Sequence, residues 1–307
     1  MKYSQLTDTV VMISPDQFGF NPQTAVTNVF QHHLSLSEKE VRDKAMKEFR
    51  NMVEVLKMEK VRVLVLGSRV GVVTPDAVFP NNWFSHHQDG RLVLYPMLAE
   101  NRRRERQFFN LKNLLSDVKI NHIKEVDFSS DEKKGLILEG TGSLVLDREN
   151  QMAFAMESPR TTKREFDRWC LNMGFEGIFF HAQDSANIPV YHTNIIMSIG
   201  REFVVICLES IKSQTEKLLI IKKLTAAGKK IIPISLKQMY KFCANILQLV
   251  STNGSSIIVM SRTVFEALTS GQKTSLEKYG KLVVVDIPTI EAVGGGSARC
   301  MLAEIFK

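Results

Sequence analysis

The sequence predicts an α/β fold, and three observations lead to this prediction. Apolar strand-like runs alternate with amphipathic helical segments along the 307 residues. Strand–helix–strand blocks recur about five times, roughly every 50–60 residues, without obvious sequence identity between them. No low-complexity linker or shift in composition divides the chain. We therefore predict a single domain over residues 1–307 that is built from quasi-repeats.

The predicted strands are short runs rich in β-branched and other apolar residues. They are Thr9–Ser14, Val61–Gly67, Arg91–Pro96, Leu136–Asp147, Met152–Met156, Val190–Ile199, Phe203–Leu208, Lys230–Ile234, Ser256–Met260, Lys281–Ile287 and Ala298–Ile305. Helices are predicted at about 35–59, 98–118, 161–174, 209–228, 235–245 and 261–279. A capping box starts the first helix, because Ser35 and Ser37 each stand three residues before a glutamate.

Composition excludes several classes of protein. The chain is 44% hydrophobic and 24% charged, which is typical of a globular protein and not of a disordered one. No run approaches the ~18 apolar residues of a membrane span, and the first residues lack a secretory signal. Four widely spaced cysteines without a CxxC pair exclude a disulfide scaffold or a ribbon-type zinc site. We expect a cytoplasmic protein that has no membrane partner.

Basic residues exceed acidic ones by 40 to 33, a net charge of +7. This balance suits a polyanion-binding protein, but it also suits enzymes of anionic metabolites. The densest basic run, from Arg102 to Arg106, lies inside the helical pattern of Leu98 to Val118. We interpret it as a solvated helix face, with a phosphate or partner contact as the alternative.

Nucleotide-binding motifs are missing from the sequence. Neither GxGxxG nor GxxxxGK[ST] occurs between a strand and a helix. The one triple glycine, Gly294–Gly296, leads into an apolar run and is therefore not predicted to form a phosphate cradle at a helix N-terminus.

Polar residues interrupt apolar runs at four places. Cys300 follows the triple glycine, and the adjacent Arg299 favours a thiolate. His192 interrupts one apolar strand and Glu139 another, where a carboxylate is costly unless something binds it. The fourth place is a polar cluster among aromatic residues: Asp76, Asn81 and Asn82. Taken singly, Cys300 and His192 are also explained as buried core residues, so the inference depends on the set.

In their order along the chain, the four motifs resemble those of the guanidino-group-modifying superfamily. This superfamily contains arginine deiminases, dimethylarginine dimethylaminohydrolases, amidinotransferases and succinylarginine dihydrolase. The resemblance spans essentially the whole chain. It implies a five-bladed, pseudo-symmetric α/β propeller of ββαβ repeats around a central substrate pocket. The superfamily's GGG-x-x-C nucleophile falls on Cys300, its general acid–base histidine on His192 and its orienting glutamate on Glu139. Its substrate-binding segment falls on Asp76, Asn81 and Asn82.

Two departures from the superfamily pattern concern the substrate. Arginine deiminases place aspartates at the positions of Asn82 and Asn194, where they bind the guanidinium. A guanidinium is a permanent cation without an acceptor, whereas a neutral ureido group has a carbonyl acceptor and N–H donors. Asparagines therefore favour citrulline over arginine. The segment from Met12 to Ala25 also resembles the citrulline ureidase subgroup, also called citrulline-utilisation hydrolases.

The resemblance implies a cysteine hydrolase that needs no metal or organic cofactor. Cys300 would attack the ureido carbon, and His192 would protonate the leaving amine and then activate water. Citrulline would give ornithine, ammonia and carbon dioxide. Asn82 and Asn194 would position the ureido group, and Arg299, on charge alone, is assigned to the α-carboxylate. Asn245 is a further candidate for the site.

Other functions remain open at this stage. Within the enzyme class these are an arginine or dimethylarginine deiminase-type hydrolase and an amidinotransferase. A ribosome- or RNA-binding protein of the same fold is the alternative outside that class. The presence of Cys300, His192 and Glu139 together argues against a binding protein. The sequence also lacks the interleaved aromatic and basic residues that RNA-binding proteins show. We therefore expect a small-molecule substrate and no nucleic-acid partner; whether the protein is a homo-oligomer is left open.

Overall fold

A computed structural model describes residues 3–307 and contains five three-stranded sheets. The strands are β1 (Thr9–Ile13), β2 (Arg62–Leu66), β3 (Phe84–His86), β4 (Arg91–Leu94), β5 (Lys124–Asp127), β6 (Val145–Asp147), β7 (Met152–Met156), β8 (Glu176–Phe180), β9 (Met197–Ile199), β10 (Phe203–Ile206), β11 (Lys230–Pro233), β12 (Leu247–Val250), β13 (Ser256–Ser261), β14 (Lys281–Val285) and β15 (Ala303–Ile305). The fold is a five-bladed α/β propeller, as predicted.

All five sheets share one topology. Their strand orders are β15-β1-β2, β3-β4-β5, β6-β7-β8, β9-β10-β11 and β12-β13-β14. The first strand of each order pairs antiparallel with the middle strand, and the middle strand pairs parallel with the third. Because a parallel pair needs a crossover, helices lie between the middle and third strands. The chain closes the ring by placing its last strand, β15, in the same blade as its first.

Eleven α-helices lie in residues 3–307. They are α1 (Pro22–Ala25), α2 (Glu38–Met58), α3 (Glu100–Arg103), α4 (Phe108–Asp117), α5 (Gly140–Ser143), α6 (Lys163–Met173), α7 (Gln214–Ala226), α8 (Leu236–Met239), α9 (Arg262–Ala267), α10 (Ser270–Glu277) and α11 (Pro288–Gly294). Within the same residues, no helix is both long and apolar enough to cross a membrane.

The longest helix, α2, illustrates how local sequence sets an element. Ser37, not Ser35, forms the capping box, since its hydroxyl accepts from the Glu40 amide while the Glu40 carboxylate accepts from the Ser37 amide. One stripe of the helix, which includes Ala45, Phe49 and Leu56, is buried against the sheets. Burying a side chain such as Phe49 contributes about 1.5–3 kcal/mol.

Three of the predicted strands are longer than the strands of the structure. In each of the three segments Leu136–Asp147, Val190–Ile199 and Ala298–Ile305, only the last three residues form a strand. The residues before them form single helical turns, namely α5 and the 3-10 turns Thr193–Ile195 and Ala298–Met301. Glycine, asparagine and threonine in these segments stabilise turns. The apolar residues beside them are buried as they would be in a strand, so the sequence pattern does not separate the two.

Other predicted elements also differ from those of the structure. Strands β3, β5, β8 and β12 were missed because they are short, and β5 and β8 carry charged residues. The helix predicted at 98–118 is broken into α3 and α4, and that at 261–279 into α9 and α10. The segment 235–245 is helical only over α8. Helix α11 was not predicted; it ends at the triple glycine, where Gly295 adopts the left-handed conformation (φ +62°).

Candidate active site

The innermost strand of each blade is preceded by a tight turn that carries a polar residue. These residues are Asn82 before β3, Glu139 before β6, His192 before β9, Asn245 before β12 and Cys300 before β15. Inner strands of neighbouring blades pack on one another, as β15 does on β3 and β9 does on β6 and β12. Pseudo-fivefold repetition therefore explains why residues that are distant in sequence meet at one place.

A small buried cavity marks that place. Its walls include Asp76, Asn82, Arg102, Arg160, His192 and Cys300. The cavity has a volume of about 10 Å³, which is about the space that one water molecule needs. Binding of a substrate the size of an amino acid therefore requires the walls to move apart.

Glu139 and His192 form a buried pair. His192 Nε2 lies 2.8 Å from Glu139 Oε2, and the Leu98 amide donates to Glu139 Oε1 at 3.0 Å. The pKa of Glu139 is lowered to about 2, because Arg160 and His192 outweigh the cost of burial. Burial in turn lowers the pKa of His192 to about 4, although Glu139 opposes this. An ionised carboxylate only accepts, so Nε2 carries the proton and Nδ1 is left as a base.

A pH profile follows from this pair. We expect kcat/KM to fall as the pH drops through about 4, where His192 Nδ1 becomes protonated and can no longer accept a proton. Glu139 stays ionised at that pH. The measurement is kcat/KM across the acidic range, together with an NMR titration of the His192 ring. An acidic limb near the ordinary histidine value of 6.5 would show that burial does not hold His192 neutral.

Cys300 is 3% exposed and lies beside two amide side chains. Asn245 Nδ2 is 3.2 Å from its Sγ, and Asn194 Nδ2 is 3.6 Å away. Burial raises the pKa of the Cys300 thiol, and the hydrogen bond from Asn245 is the largest effect that lowers it. The other three cysteines, Cys170, Cys207 and Cys243, are buried and unpaired as well.

Asp76 presents one free oxygen. Its Oδ2 accepts hydrogen bonds from Asn21 Nδ2 at 2.7 Å and from Thr24 Oγ1 at 2.9 Å. Its Oδ1 is buried and has no hydrogen-bond partner in residues 3–307. Burial raises the pKa of Asp76, and Arg102 opposes this effect. The free oxygen is therefore available to a donor that enters the cavity.

Asn82 presents one free donor, and its orientation is fixed. Arg102 Nη1 donates to Asn82 Oδ1 at 2.7 Å. Because a guanidinium has no acceptor, the atom that faces it must be the amide oxygen. Asn82 Nδ2 is consequently the atom on the other side, where it is buried without a partner in the described part of the chain.

Gly142 allows Asn82 and His192 to approach each other. A Cβ at this position would lie 2.3 Å from Asn82 Nδ2 and 2.7 Å from His192 Nδ1. Every other residue type would therefore displace both side chains. The glycine that follows Glu139 in the sequence motif thus has a steric role.

The interpretation of the basic run as a solvated face was wrong for Arg102 and Glu105. Both are buried, at 2% and 1% exposure. Arg102 Nε and Nη2 each donate to Glu105 at 2.9 Å. Burial raises the pKa of Glu105 to about 7 despite this ion pair. Arg104, in contrast, does lie in solvent, where it pairs with Glu100.

A second arginine of the cavity, Arg160, was not singled out in the sequence. Its Nη2 donates to the Thr24 carbonyl, and its Nη1 lies 3.7 Å from Glu139 Oε2. A buried arginine beside a buried glutamate is visible only in three dimensions, because the two residues lie in separate sequence segments.

Three of the residues predicted to bind substrate lie outside the cavity walls. Arg299 donates to Glu304 Oε2 at 2.9 Å and lines a separate cavity of about 30 Å³. Asn194 contacts the Cys300 sulfur and also lines that second cavity. Asn81 is fully buried, and neither atom of its amide has a partner in residues 3–307. The predicted contacts of these residues with substrate stay predictions.

No group of three or more His, Cys, Asp or Glu residues in the described range could hold a metal ion. What the cavity does contain is a thiol, a neutral imidazole on a carboxylate, a free carboxylate oxygen and a free amide donor. This combination is suited to nucleophilic attack on a planar carbon that carries nitrogen substituents.

Comparison with known families gives one match. The profile described as N,N dimethylarginine dimethylhydrolase, eukaryotic, matches residues 14–307. Curated protein sequences give no significant match. The superfamily resemblance drawn from the four motifs is therefore confirmed.

Solved structures of similar fold include three informative examples. The N-terminal domain of ArgZ, a cyanobacterial arginine dihydrolase, was solved as a cysteine-to-serine mutant bound to substrate; it has 16% identity over 97% of this chain and 98% of that one, with a TM-score of 0.72. A mutant of AgrE in complex with L-arginine has 19% identity and a TM-score of 0.73; the match covers 97% of this chain and 40% of AgrE. A dimethylarginine dimethylaminohydrolase adduct has 13% identity over 97% and 99% of the two chains, with a TM-score of 0.65.

Proposed function

Since the chain belongs to the family of N,N dimethylarginine dimethylhydrolase, eukaryotic, we propose that it is a cysteine hydrolase that cleaves a carbon–nitrogen bond of a ureido group, with citrulline as substrate. Cys300, His192 and Glu139 are its catalytic residues in this proposal. Asp76 and Asn82 bind the ureido group.

The free amide donor of Asn82 is the observation that carries the choice of a ureido group. Its Nδ2 and the Asp76 Oδ1 are both buried without partners in residues 3–307. An unsatisfied buried donor costs about 1–3 kcal/mol, which a ligand acceptor recovers. A ureido group supplies both complements, because its carbonyl accepts from Asn82 and its N–H groups donate to Asp76. A guanidinium supplies donors only and would leave Asn82 unsatisfied.

The proposed reaction starts from a neutral thiol and a neutral imidazole. Cys300 gives its proton to His192 Nδ1 as its sulfur attacks the ureido carbon, which produces a tetrahedral intermediate. His192 passes that proton to the δ-nitrogen, the C–N bond breaks, and ornithine leaves a thiocarbamoyl-enzyme. His192 then takes a proton from water as the water attacks the same carbon, and the proton returns to the sulfur. Carbamate is released and decomposes to ammonia and carbon dioxide.

The α-carboxylate of the substrate is assigned to Arg160 instead of Arg299. Arg102 already donates to Glu105, Asn82 and the Phe79 carbonyl. Arg160 Nη1 has only a 3.7 Å contact with Glu139, and Arg160 lines the cavity. A carboxylate that enters the cavity would therefore find its closest available guanidinium at Arg160.

Arginine-type substrates form the second candidate class. Asp76 Oδ1 would accept from a guanidinium as well as from a ureido N–H, and the structurally similar ArgZ is an arginine dihydrolase. Conversion of arginine in this site would still leave Asn82 without an acceptor. Residues 3–307 contain no feature that favours an amidinotransferase or an RNA-binding protein over hydrolysis.

The experiment that tests the proposal is ammonia release by the purified protein from citrulline, arginine, methylated arginines, agmatine and N-propylurea. We expect turnover of citrulline above all others. N-propylurea, which has the ureido group without the α-carboxylate, should react with a lower kcat/KM. Turnover of arginine-type substrates alone would overturn the ureido assignment and leave the catalytic trio in place.

A further inference from the structure

We propose that the side chains of Asn245 and Asn194 form a pair of N–H donors that stabilises the negative charge on the Cys300 sulfur as the thiol loses its proton, and that this pair lets the site attack a neutral ureido carbon. The link to a neutral substrate rests on the proposed function. The donor pair at the sulfur does not, because it concerns only the protein.

The orientation of Asn245 is fixed by a backbone carbonyl. Its Nδ2 lies 3.2 Å from the Asn194 carbonyl oxygen and 3.2 Å from Cys300 Sγ. A carbonyl accepts only, so the amide nitrogen and not the oxygen must face it. The amide has two protons, of which one serves the carbonyl and the other points to the sulfur.

The orientation of Asn194 is fixed in the same way. Its Nδ2 donates to the Thr141 carbonyl at 3.2 Å and lies 3.6 Å from Cys300 Sγ. Hydrogen bonds to sulfur are longer than those to oxygen, so this distance is compatible with a donor. The sulfur thus has two amide donors, which come from the turns that precede β9 and β12.

The need for these donors follows from the charge of the substrate. Burial disfavours the thiolate of Cys300, which is why its pKa is raised. A guanidinium substrate brings a positive charge next to the sulfur and so offsets this cost, whereas a ureido substrate brings none. With citrulline, the protein alone must stabilise the negative sulfur, and hydrogen bonds to the charged form do so.

Other charged and titratable groups around the sulfur do not replace the pair. Asp76, Arg102, Arg160, Tyr191 and His192 line the same cavity. Arg299, the preceding residue, is also positive, but its guanidinium is paired with Glu304. Within residues 3–307, none of these groups donates a hydrogen bond to the sulfur.

The test is alkylation of Cys300 by iodoacetamide as a function of pH, which reports the thiolate fraction without any substrate. In Asn245→Ala, we expect the midpoint of the alkylation profile to move up by about one pH unit. This shift corresponds to about tenfold slower alkylation at pH values below the midpoint. Asn245→Asp keeps the shape of the side chain, so it guards against a packing defect; it replaces the donor by a carboxylate and should move the midpoint further. Reaction of Cys300→Ser gives the background from the other three cysteines.

Gln248→Ala is the matched control. Gln248 is also buried and lies in β12, but its amide donates to the Tyr279 carbonyl. We expect its alkylation midpoint to stay at the wild-type value. An unchanged midpoint in both folded Asn245 variants would overturn the donor pair.

Turnover separates the inference from the proposed function. If the pair serves a neutral substrate, Asn245→Ala should lose more kcat/KM on citrulline than on arginine, measured with the same preparation. Equal losses on both would overturn the link to substrate charge. A shifted midpoint in a protein that does not turn over citrulline would leave the donor pair intact and reject the proposed function.

Discussion

Cys300→Ser is expected to reduce citrulline turnover by at least about a thousandfold, the largest loss of any single substitution here. A serine hydroxyl is far less acidic than a thiol, and burial lowers the pKa of His192, the base in the proposed mechanism, to about 4. The amide donors of Asn245 and Asn194 cannot compensate for this difference in acidity between a hydroxyl and a thiol. Ammonia release from citrulline, followed at a high enzyme concentration, measures the loss.

Cys243→Ser is the matched control for this substitution. Cys243 is another fully buried, unpaired cysteine, and it belongs to a different cluster of the core. Its replacement should leave kcat within a few-fold of wild type and should at most lower the thermal stability. Comparable turnover by Cys300→Ser and the wild type would remove Cys300 from the mechanism altogether.

The three residues proposed to be catalytic, Cys300, His192 and Glu139, could be selected from sequence because each one breaks a rule for its surroundings. Glu139 and His192 interrupt apolar segments, where a polar group needs a partner. The two are each other's partner at 2.8 Å. Cys300 is preceded by glycines that form a helix end, which is a local signal as well.

The cavity arginines and Asn245 could not be assigned in that way. Arg102 lies in a run of basic residues that looks solvated, and only tertiary packing buries it against Glu105. Arg160 interrupts no apolar run. Asn245 precedes a strand that the pattern did not predict, so its place before β12 was not recognised as equivalent to those of His192 and Cys300.

The strand–helix–strand repeats of the fold could be predicted from the sequence, whereas the bounds of the innermost strands could not. The strand–helix–strand repeats are visible in the sequence because the middle strand of each sheet is buried along almost its whole length and is therefore apolar. The turns before the inner strands are just as buried as the strands themselves, and apolar residues flank their polar ones. Periodicity alone cannot separate a buried turn from a buried strand, and it is these turns that position the site.

The second large effect is expected for Asn82→Asp, which should exchange one substrate class for another. The free Nδ2 donor becomes an acceptor that repels the ureido carbonyl, and a second carboxylate beside Asp76 favours a guanidinium. Loss of a matched hydrogen bond in a buried site costs about a hundredfold or more in kcat/KM. We therefore expect citrulline turnover to fall by about that factor and arginine turnover to rise relative to it.

Asn82→Ala distinguishes the loss of a donor from the gain of a charge. It removes the donor without adding a carboxylate, so citrulline turnover should fall while the ratio of arginine to citrulline turnover rises less than in Asn82→Asp. Arg102 still binds Glu105 in both variants, so the wall of the cavity is retained. The ratio of the two kcat/KM values is the decisive measurement, since a general packing defect lowers both values together. If the ratio is the same in wild type, Asn82→Ala and Asn82→Asp, the amide of Asn82 does not select the substrate, and the choice of a ureido group loses its physical basis.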